Sequence, residues 1–454
     1  MLNNFLEKYL KQKISPSILI KDLHWRSQDS NENSLLFYKV GDKLSDEAIF
    51  HQRLSKASYA HLILNRSLET MPPNCTVVNE SEWPNLQKEC LDLIYPLPSL
   101  KLIGITGTNG KTTTADLVLQ LGHQVGKKGM SIGTLGVREI GKTIADFGLT
   151  SPPLIDLRKY LYQYGQDKDF CVMEASSHAL EQQRLYGIYF DCAGWLSFSQ
   201  DHLDYHKTME NYFGAKKLIF QHLKKNGVVF LPTEQKELIK KLSKEAILQA
   251  DQISVDLPLF FQTQFNQNNL EVAAAIVNFL FKNESNLDYQ KLTPPDGRFY
   301  IKGYRSNYIV IDFAHTPDAL ENICKGIRRA FPQHQLKVLF GCGGDRDRTK
   351  RPLMGEIADK YADDIYVTSD NPRSEDPAQI IQDILSGIIK HIPKVIIERP
   401  EAVKRAFESL NENEILLLAG KGHEDYILIN GIKYPYSDIG EIEKLLKGKL
   451  DDKS

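Results

Sequence analysis

The stretch Ile103 to Thr112 (IGITGTNGKT) has the residue types and spacing to hold the phosphates of a nucleoside triphosphate. Leu102, Ile103 and Ile105 read as a buried strand. Gly107 and Gly110 then let the backbone turn so that N–H groups point inward at anionic oxygens. Lys111 adds a point charge for the β- and γ-phosphates. Thr112 offers a hydroxyl for Mg²⁺, and Thr113 continues into a helix. The strict G-x-x-x-x-G-K-[ST] spacing is not fully met, because Ile105 stands where the first Gly belongs. An ordinary Gly-rich strand-to-helix turn would share these glycines. The apolar strand before the loop and the helical pattern after it favour phosphate binding.

Five further clusters carry chemistry. Met173-Glu174-Ala175-Ser176-Ser177-His178 follows an apolar run, and Glu174 is a hard oxygen ligand suited to Mg²⁺, or a carboxylate at a helix start. Ser199 to His206 (SQDHLDYH) is rich in His and Asp, but it lacks zincin spacing, so zinc is a poor fit. Gly341 to Pro352 (GCGGDRDRTKRP) joins flexible backbone to four cations and suits anion or carboxylate recognition. The alternative is a solvated basic loop, which is the expectation for Arg348 and Lys350. Asp370-Asn371-Pro372-Arg373 and Ala419-Gly420-Lys421-Gly422-His423-Glu424 complete the set.

Each cluster needs a strand to aim it. Strands are expected at Leu35–Val40, His61–Leu64, Leu102–Thr106, Cys171–Ala175, Ala193–Phe198 and Val228–Leu231. Later ones are expected at Tyr308–Phe313, Leu336–Gly341, Asp364–Thr368, Lys394–Glu398 and Glu414–Ala419. Helices are expected between them, at Thr112–Leu121, Glu210–Leu223, Pro317–Ala330 and Pro377–Lys390. Apolar strands alternating with helices indicate an α/β fold with mostly parallel sheets, and ligands then sit beyond the carboxyl ends of the strands. Turn-rich Tyr95–Ser99 and Pro294–Gly297 mark boundaries, which predicts three domains at 1–97, 98–297 and 298–454.

At 454 residues the chain exceeds one core, and its 42% hydrophobic and 25% charged residues are those of a globular protein. A net charge of −2 gives no reason to expect nucleic acid or an anionic membrane as a partner. The start, MLNNFLEKYLKQK, carries charges where a signal peptide would be apolar, and Val272–Phe281 is too short to span a bilayer. Six scattered Cys residues with no C-x-x-C read as buried small hydrophobes. A cytoplasmic protein with no membrane insertion is expected.

Together the motifs resemble the Mur ligases, the ATP-dependent amide-forming enzymes of peptidoglycan synthesis. They come closest to the MurE type, which adds the third residue of the stem peptide. The matching motifs are TGTNGKTT (106–113), EASSH (174–178), DHLDYH (201–206), DFAHTPDALE (312–321), GCGGDRDRTKRPLMG (341–355), DNPR (370–373) and GKGHED (420–425), in the family's order. The resemblance implies a uridine-binding N-terminal domain, a central P-loop ATPase domain and a C-terminal Rossmann-like domain.

It also implies roles. Gly107 to Thr113, Asn269, Arg298 and Asp312 would bind ATP. Lys111, Glu174, His202 and Lys216 would be the catalytic set. Thr112, Glu174, His202 and a carbamylated Lys216 would hold Mg²⁺, with the carbamate derived from CO₂; as a bare sequence position, Lys216 reads as a surface helix lysine. Thr150, Ser151, Ser176, Gln182 and Arg184 would hold UDP-MurNAc-L-Ala-D-Glu. Arg346, Asp370, Asn371, Arg373, Gly420 and Glu424 would hold the incoming amino acid. DNPR accompanies meso-diaminopimelate in MurE-like enzymes, and Arg373 suits its extra carboxylate, unless it merely pairs with Glu375 or Asp376. A monomer acting through an acyl phosphate is implied.

The alternatives are an L-lysine-adding enzyme, another Mur or folylpolyglutamate-type ligase, and an inactive nucleotide-binding module. Three departures stand out. Ser27-Gln28-Asp29 replaces the family's D-S-R stretch. Leu231 to Phe265 is short, which predicts a missing hairpin. Phe213-Gly214 precedes Lys216 in place of the usual small or acidic pair.

Overall fold

The computed structural model describes residues 2–10, 19–282 and 287–451 of the chain. It divides into two compact units. One comprises Met1–Leu102, Lys128–Cys171 and His178–Tyr189, and the other comprises Ile103–Lys127, Val172–Ser177 and Phe190–Ser454. Among the described residues no helix is long and apolar enough to cross a membrane.

In the first unit, strands Asp22–His24, Ser34–Tyr38, His61–Leu64 and Cys75–Val77 pair in parallel in chain order. The alternation along Ser34–Tyr38 splits its side chains between two cores. Leu35 and Phe37 pack with Ile63, Trp83 and Leu86, whereas Leu36 packs with Phe50, Leu62 and Leu64. Both faces of the sheet are therefore covered by helices, including Leu44–Leu54 and Trp83–Ile94. The unit also holds an antiparallel meander, Gly129–Gly133, Gly136–Glu139 and Lys142–Ala145, before helix Leu154–Tyr164. This meander was absent from the expected elements because its strands are short and carry no clear alternation.

In the second unit, strands Ile247–Ala250, Val229–Pro232, Cys192–Trp195 and Lys101–Thr106 lie side by side and parallel. The segment from 231 to 265 holds helix Lys236–Lys241 and strand Ile247–Ala250. A second sheet runs in the order Tyr300–Tyr304, Asn307–Asp312, Glu414–Ala419, Gln335–Phe340, Asp364–Val367 and Lys394–Val395; only its first pair is antiparallel. The wholly buried strand Glu414–Ala419 inserts late between two earlier strands. That makes a topological switch, with the loops after four strands gathered at their carboxyl ends.

Most expected elements are present, and the differences have local causes. The strand expected at Ala193–Phe198 stops at Trp195, because Ser197 and Ser199 spend their carbonyls on Thr108. The helix expected at Pro377–Lys390 stops at Leu385. The Asp359 carboxylate accepts the N–H groups of Ile389, Lys390 and His391 at 2.9–3.1 Å and holds them in a turn. Helix Met209–Lys217 tightens into a 3₁₀ turn, Leu218–His222. Strand Lys394–Val395 is shorter than expected at the sheet edge. The six cysteines are all free, and all but half-buried Cys75 are buried. Burial pushes the Cys324 and Cys342 thiols up to about 12.

One buried ion pair fixes the last helix. Arg399 opens helix Arg399–Glu408, and its Nε and Nη2 donate to Asp438 at 2.9 and 2.6 Å with both side chains fully buried. Asp438→Asn leaves that guanidinium uncompensated, so a loss of about 3–5 kcal/mol is expected in urea unfolding. A change below about 1 kcal/mol would show that the pair is dispensable.

Candidate functional site

The phosphate loop is built by what surrounds it. Strand Lys101–Thr106 delivers the chain to Gly107, and helix Lys111–Gln124 begins immediately after Gly110. Gly110 has φ 88°, and a Cβ there would stand 2.3 Å from Asn269 Oδ1, so the expected glycine is required by both backbone and space. The peptide N–H groups of Thr108 and Asn109 bond Ser197 through its carbonyl and its Oγ, each at 3.0 Å.

Cations converge on this loop. Lys111 Nζ donates to the carbonyls of Gly107 and Thr108, both at 2.9 Å. Lys216 Nζ donates to the same Gly107 carbonyl at 2.8 Å and lies 4.6 Å over the Tyr212 ring. Lys216 is not the surface lysine that its sequence position suggests: it is 1% exposed. Burial, helped by the nearby Lys111 charge, holds its pKa well below the ordinary lysine value. Burial also lowers Lys111, against the pull of Glu174 and Asp201.

Glu174 ends strand Phe170–Glu174, and its carboxylate accepts from Thr112 Oγ1 at 3.0 Å. Arg298 Nη2 reaches the same hydroxyl at 3.3 Å, and its guanidinium stacks 4.5 Å over Phe313. Asp312 accepts the N–H of Phe299 at 2.7 Å, and burial raises its pKa. Asn109, Gly110, Thr113, Arg298 and Asp312 line one cavity walled by Phe260, Phe299 and Phe313. His202 sits at φ 56°, where the adjacent Asp201 carboxylate takes its N–H at 2.9 Å. Among the described residues no three His, Cys, Asp or Glu gather as a metal site. The oxygen donors brought together are Thr112 and Glu174, a hard pair that suits Mg²⁺.

A second cluster forms at the carboxyl ends of the other sheet. Asn371 Nδ2 donates to Glu424 at 2.8 Å. Lys421 Nζ touches Asp370 (3.3 Å), Asn371 Oδ1 (3.1 Å) and Glu424 (3.0 Å). Gly420 has φ 112°, and a Cβ there would meet Asp370 Oδ2 at 2.6 Å. Arg373 does not pair with Glu375 or Asp376. Arg351 takes Glu375 through two nitrogens, and Asp376 caps helix Pro377–Leu385. Arg373 Nη1 donates to the carbonyls of Gly344 and Asn371 at 2.7 and 3.4 Å. Burial and the nearby Arg346 charge depress its pKa. Half-buried Arg373, with exposed Arg346 close by, thus forms a cationic corner suited to an anion.

Two residues were missed. Lys421 was visible between Gly420 and Glu424 but carried no assigned role. Lys350 is buried rather than solvated; it donates to the carbonyl of His315 at 3.0 Å and stands 3.7 Å from Asp201. Arg348 is exposed as expected and pairs with Glu375.

In the first unit, Arg184 Nη1 donates to the Ser151 carbonyl at 2.8 Å, and its Nη2 donates to Gln182 at 2.6 Å. Thr150 meets Thr134 at 3.3 Å. Gln182 and Arg184 line a cavity of about 1090 Å³ with Trp25, Arg26, Arg53 and Trp83. Ser27 and Gln28 line it too, within the 3₁₀ turn Ser27–Asp29. Ser176 belongs to the second unit.

The chain matches the Mur ligase middle domain over residues 105–285 and the Mur ligase glutamate ligase domain over 297–422. It is 35% identical to the UDP-N-acetylmuramoyl-L-alanyl-D-glutamate–2,6-diaminopimelate ligase of Aquifex aeolicus, covering 94% of each chain. A solved structure of a ligase with that same name aligns with TM-score 0.61 at 28% identity, over 98% of this chain and 99% of the other. The MurF ligase of Thermotoga maritima, solved in complex with ADP, shares the fold with TM-score 0.62 at 14% identity, over 96% and 100% of the two chains.

Lys111→Ala removes a positioned cation from the phosphate loop, and the Gly107 carbonyl it bonds still accepts from Lys216. Nucleoside-triphosphate turnover, read as phosphate release, is expected to fall by about 10²-fold or more with an unchanged melting transition. Near-normal turnover in the folded variant would remove Lys111 from phosphate handling.

Proposed function

The chain belongs to the Mur ligase family, and on that premise we propose that it is an ATP-dependent ligase of the MurE type. It adds meso-diaminopimelate to UDP-MurNAc-L-Ala-D-Glu, with ADP and phosphate as products. The observation that carries the choice of amino acid is Arg373. Its guanidinium bonds only to carbonyl oxygens among the described residues, beside Asn371, Glu424 and Asp370. Diaminopimelate brings an amino-carboxylate to the corner where L-lysine brings a bare ammonium. The planar fork of Arg373 suits that carboxylate, and Glu424 and Asp370 suit the ammonium.

The reaction is phosphoryl transfer followed by acyl transfer. The D-Glu carboxylate of the dipeptide attacks the γ-phosphorus, the bond to the β–γ bridging oxygen breaks, and ADP leaves. The amine of the amino acid then attacks the acyl carbonyl, and the tetrahedral intermediate expels phosphate. No side-chain nucleophile is required. The chain contributes position and charge: Lys111 lies against the transferring phosphoryl group, while the N–H groups of Thr108 and Asn109 are spent on Ser197 and hold the loop's shape. Thr112, Glu174, His202 and the modified Lys216 are the residues that would hold Mg²⁺, which when bound supplies neutralisation of the crowded phosphate oxygens. Asn269, Arg298 and Asp312 serve the nucleotide.

The large cavity of the first unit, with Gln182 and Arg184 on its wall and two tryptophans and several cations around it, suits the UDP-sugar portion of the substrate. Thr150, Ser151 and Ser176 serve the same substrate. Three functional domains, at 1–97, 98–297 and 298–454, are part of this reading. ATP and a UDP-linked substrate place the reaction in the cytoplasm, with the enzyme acting as a monomer. The defining experiment is phosphate release with UDP-MurNAc-dipeptide across a panel of amino acids. Turnover only with diaminopimelate supports the assignment. Turnover with L-lysine, or none at all, points to the lysine-adding type or to an inactive nucleotide-binding module.

Lys216 carries a carbamate in this scheme. A free lysine, with pKa near 10.4, offers few neutral amines at pH 7. The depressed value of Lys216 raises that fraction and favours uptake of CO₂. Isotope-labelled bicarbonate should give one carbamate carbon signal that Lys216→Ala lacks. The variant should be nearly inactive, with partial rescue by a small carboxylic acid. An active Lys216→Ala enzyme would end this assignment.

Arg373→Ala should raise the diaminopimelate KM by on the order of 10²-fold or more, because the far carboxylate then goes unpaired in a partly desolvated site. The ATP KM should stay within about twofold, since Arg373 lies outside the nucleotide cavity. Equal losses in both constants would place Arg373 elsewhere in the mechanism.

A further inference from the structure

The apex of the phosphate loop is tied to a segment far along the chain. Asn109 gives its peptide N–H to Ser197 Oγ at 3.0 Å, which leaves its side-chain amide to reach outward. Nδ2 donates to Thr316 Oγ1 at 3.2 Å and to Asp318 Oδ2 at 3.1 Å, 207 and 209 residues later. Both acceptors are themselves fixed. Thr316 is fully buried and caps helix Pro317–Ala330 by accepting the N–H of Ala319 at 3.2 Å. Asp318 uses its other oxygen to accept from Asn322 Nδ2 at 3.1 Å.

The same helix takes part in the nucleotide cavity. Ala319, Asn322 and Ile323 line it together with Asn109 and Gly110. Two further junctions run in parallel. Gln200 Nε2 donates to Asp347 at 3.2 Å and to Thr349 Oγ1 at 2.8 Å, and Lys350 faces Asp201 at 3.7 Å. A Gly-rich loop grips phosphate only while its N–H groups share one direction. Anchoring its apex from a second element removes that freedom before the nucleotide arrives.

We propose that Asn109 and Asp318 are a positioning pair, through which the turn 316–318 sets the phosphate loop's grip on the nucleotide. The pair thereby couples nucleotide use to the half of the second unit that bears Arg373 and Glu424. The coupling to amide formation rests on the ligase assignment; the effect on nucleotide grip does not.

The test is a double-mutant cycle on Asn109→Ala and Asp318→Ala, read by titration with a fluorescent ATP analogue and by the ratio of amide product to ADP. Each single change should weaken nucleotide binding by roughly 5–10-fold, the scale of one or two hydrogen bonds. The double variant should be no more than about twofold worse than the weaker single, because Asp318→Ala removes a bond to Asn109 that Asn109→Ala has already removed. Asp318→Asn keeps an acceptor oxygen and should return to within about twofold of wild type. Asp318→Ala should also form ADP in excess of amide.

Losses that multiply in the double variant would overturn the pair, as would an Asp318→Asn protein as weak as Asp318→Ala. If Asp318→Ala lowers the melting transition, Asp318→Ser carries the same cycle, since serine suits a helix start but cannot reach Asn109. The titration needs no amide product. A wild-type protein that forms none would count against the ligase assignment and leave the cycle decisive for the pair.

Discussion

Two lysine amines share one carbonyl oxygen. Lys111 and Lys216 both donate to Gly107, at 2.9 and 2.8 Å, in a place where burial penalises the charged form of each. A single peptide dipole does not balance two ammonium charges, so burial and the Lys111 charge favour the neutral amine at Lys216, while Glu174 and Asp201 pull Lys111 toward its charged form. Much of the surrounding geometry follows from this crowding. Tyr212 places its ring under Lys216 and its hydroxyl on Thr108. Arg298 settles on the face of Phe313 and on the Thr112 hydroxyl. The phosphate loop is thus surrounded by nitrogen donors held in place before any ligand arrives.

The second sheet repeats the principle with different chemistry. Its late central strand, Glu414–Ala419, brings the 420–425 loop between the loops that follow Asn307–Asp312 and Gln335–Phe340. Lys421, with its ammonium buried among Asp370, Glu424 and Asn371, keeps two carboxylates from repelling each other. Arg373 and Arg346 supply the opposite sign nearby. Under the proposed function, a zwitterion would meet both signs there. The positive φ of Gly420 is what allows that loop to approach Asp370 so closely.

Much of this was legible in the sequence because local rules and fold agree. The strand His61–Leu64, the strand Glu414–Ala419 and the helix Pro317–Ala330 have the bounds that apolar runs and a Thr-Pro start imply. Where expectation and structure part, a tertiary contact outweighed a local pattern. The carboxylate of Asp359 ends a helix that periodicity would continue. Burial turns Lys216 and Lys350 from solvated charges into interior ones, and nothing in the neighbouring residues announces this. Arg373 shows the converse: Glu375 stands two residues away but belongs to Arg351. Charge partners are chosen by geometry, and sequence proximity is a weak guide to them.

The distribution of thiols has a practical consequence. Five of the six cysteines are packed inside cores, and Cys75, on a short edge strand of the first unit, is half-buried. Burial raises the thiols of Cys75, Cys90, Cys171, Cys324 and Cys342 and favours their neutral S–H form. The Cys75 Sγ–H leans on the Pro72 carbonyl at 2.9 Å. Electrophiles that require an accessible thiolate therefore find little to attack. The same arrangement leaves half-buried Cys75 as the most accessible address for a covalent probe among the described thiols.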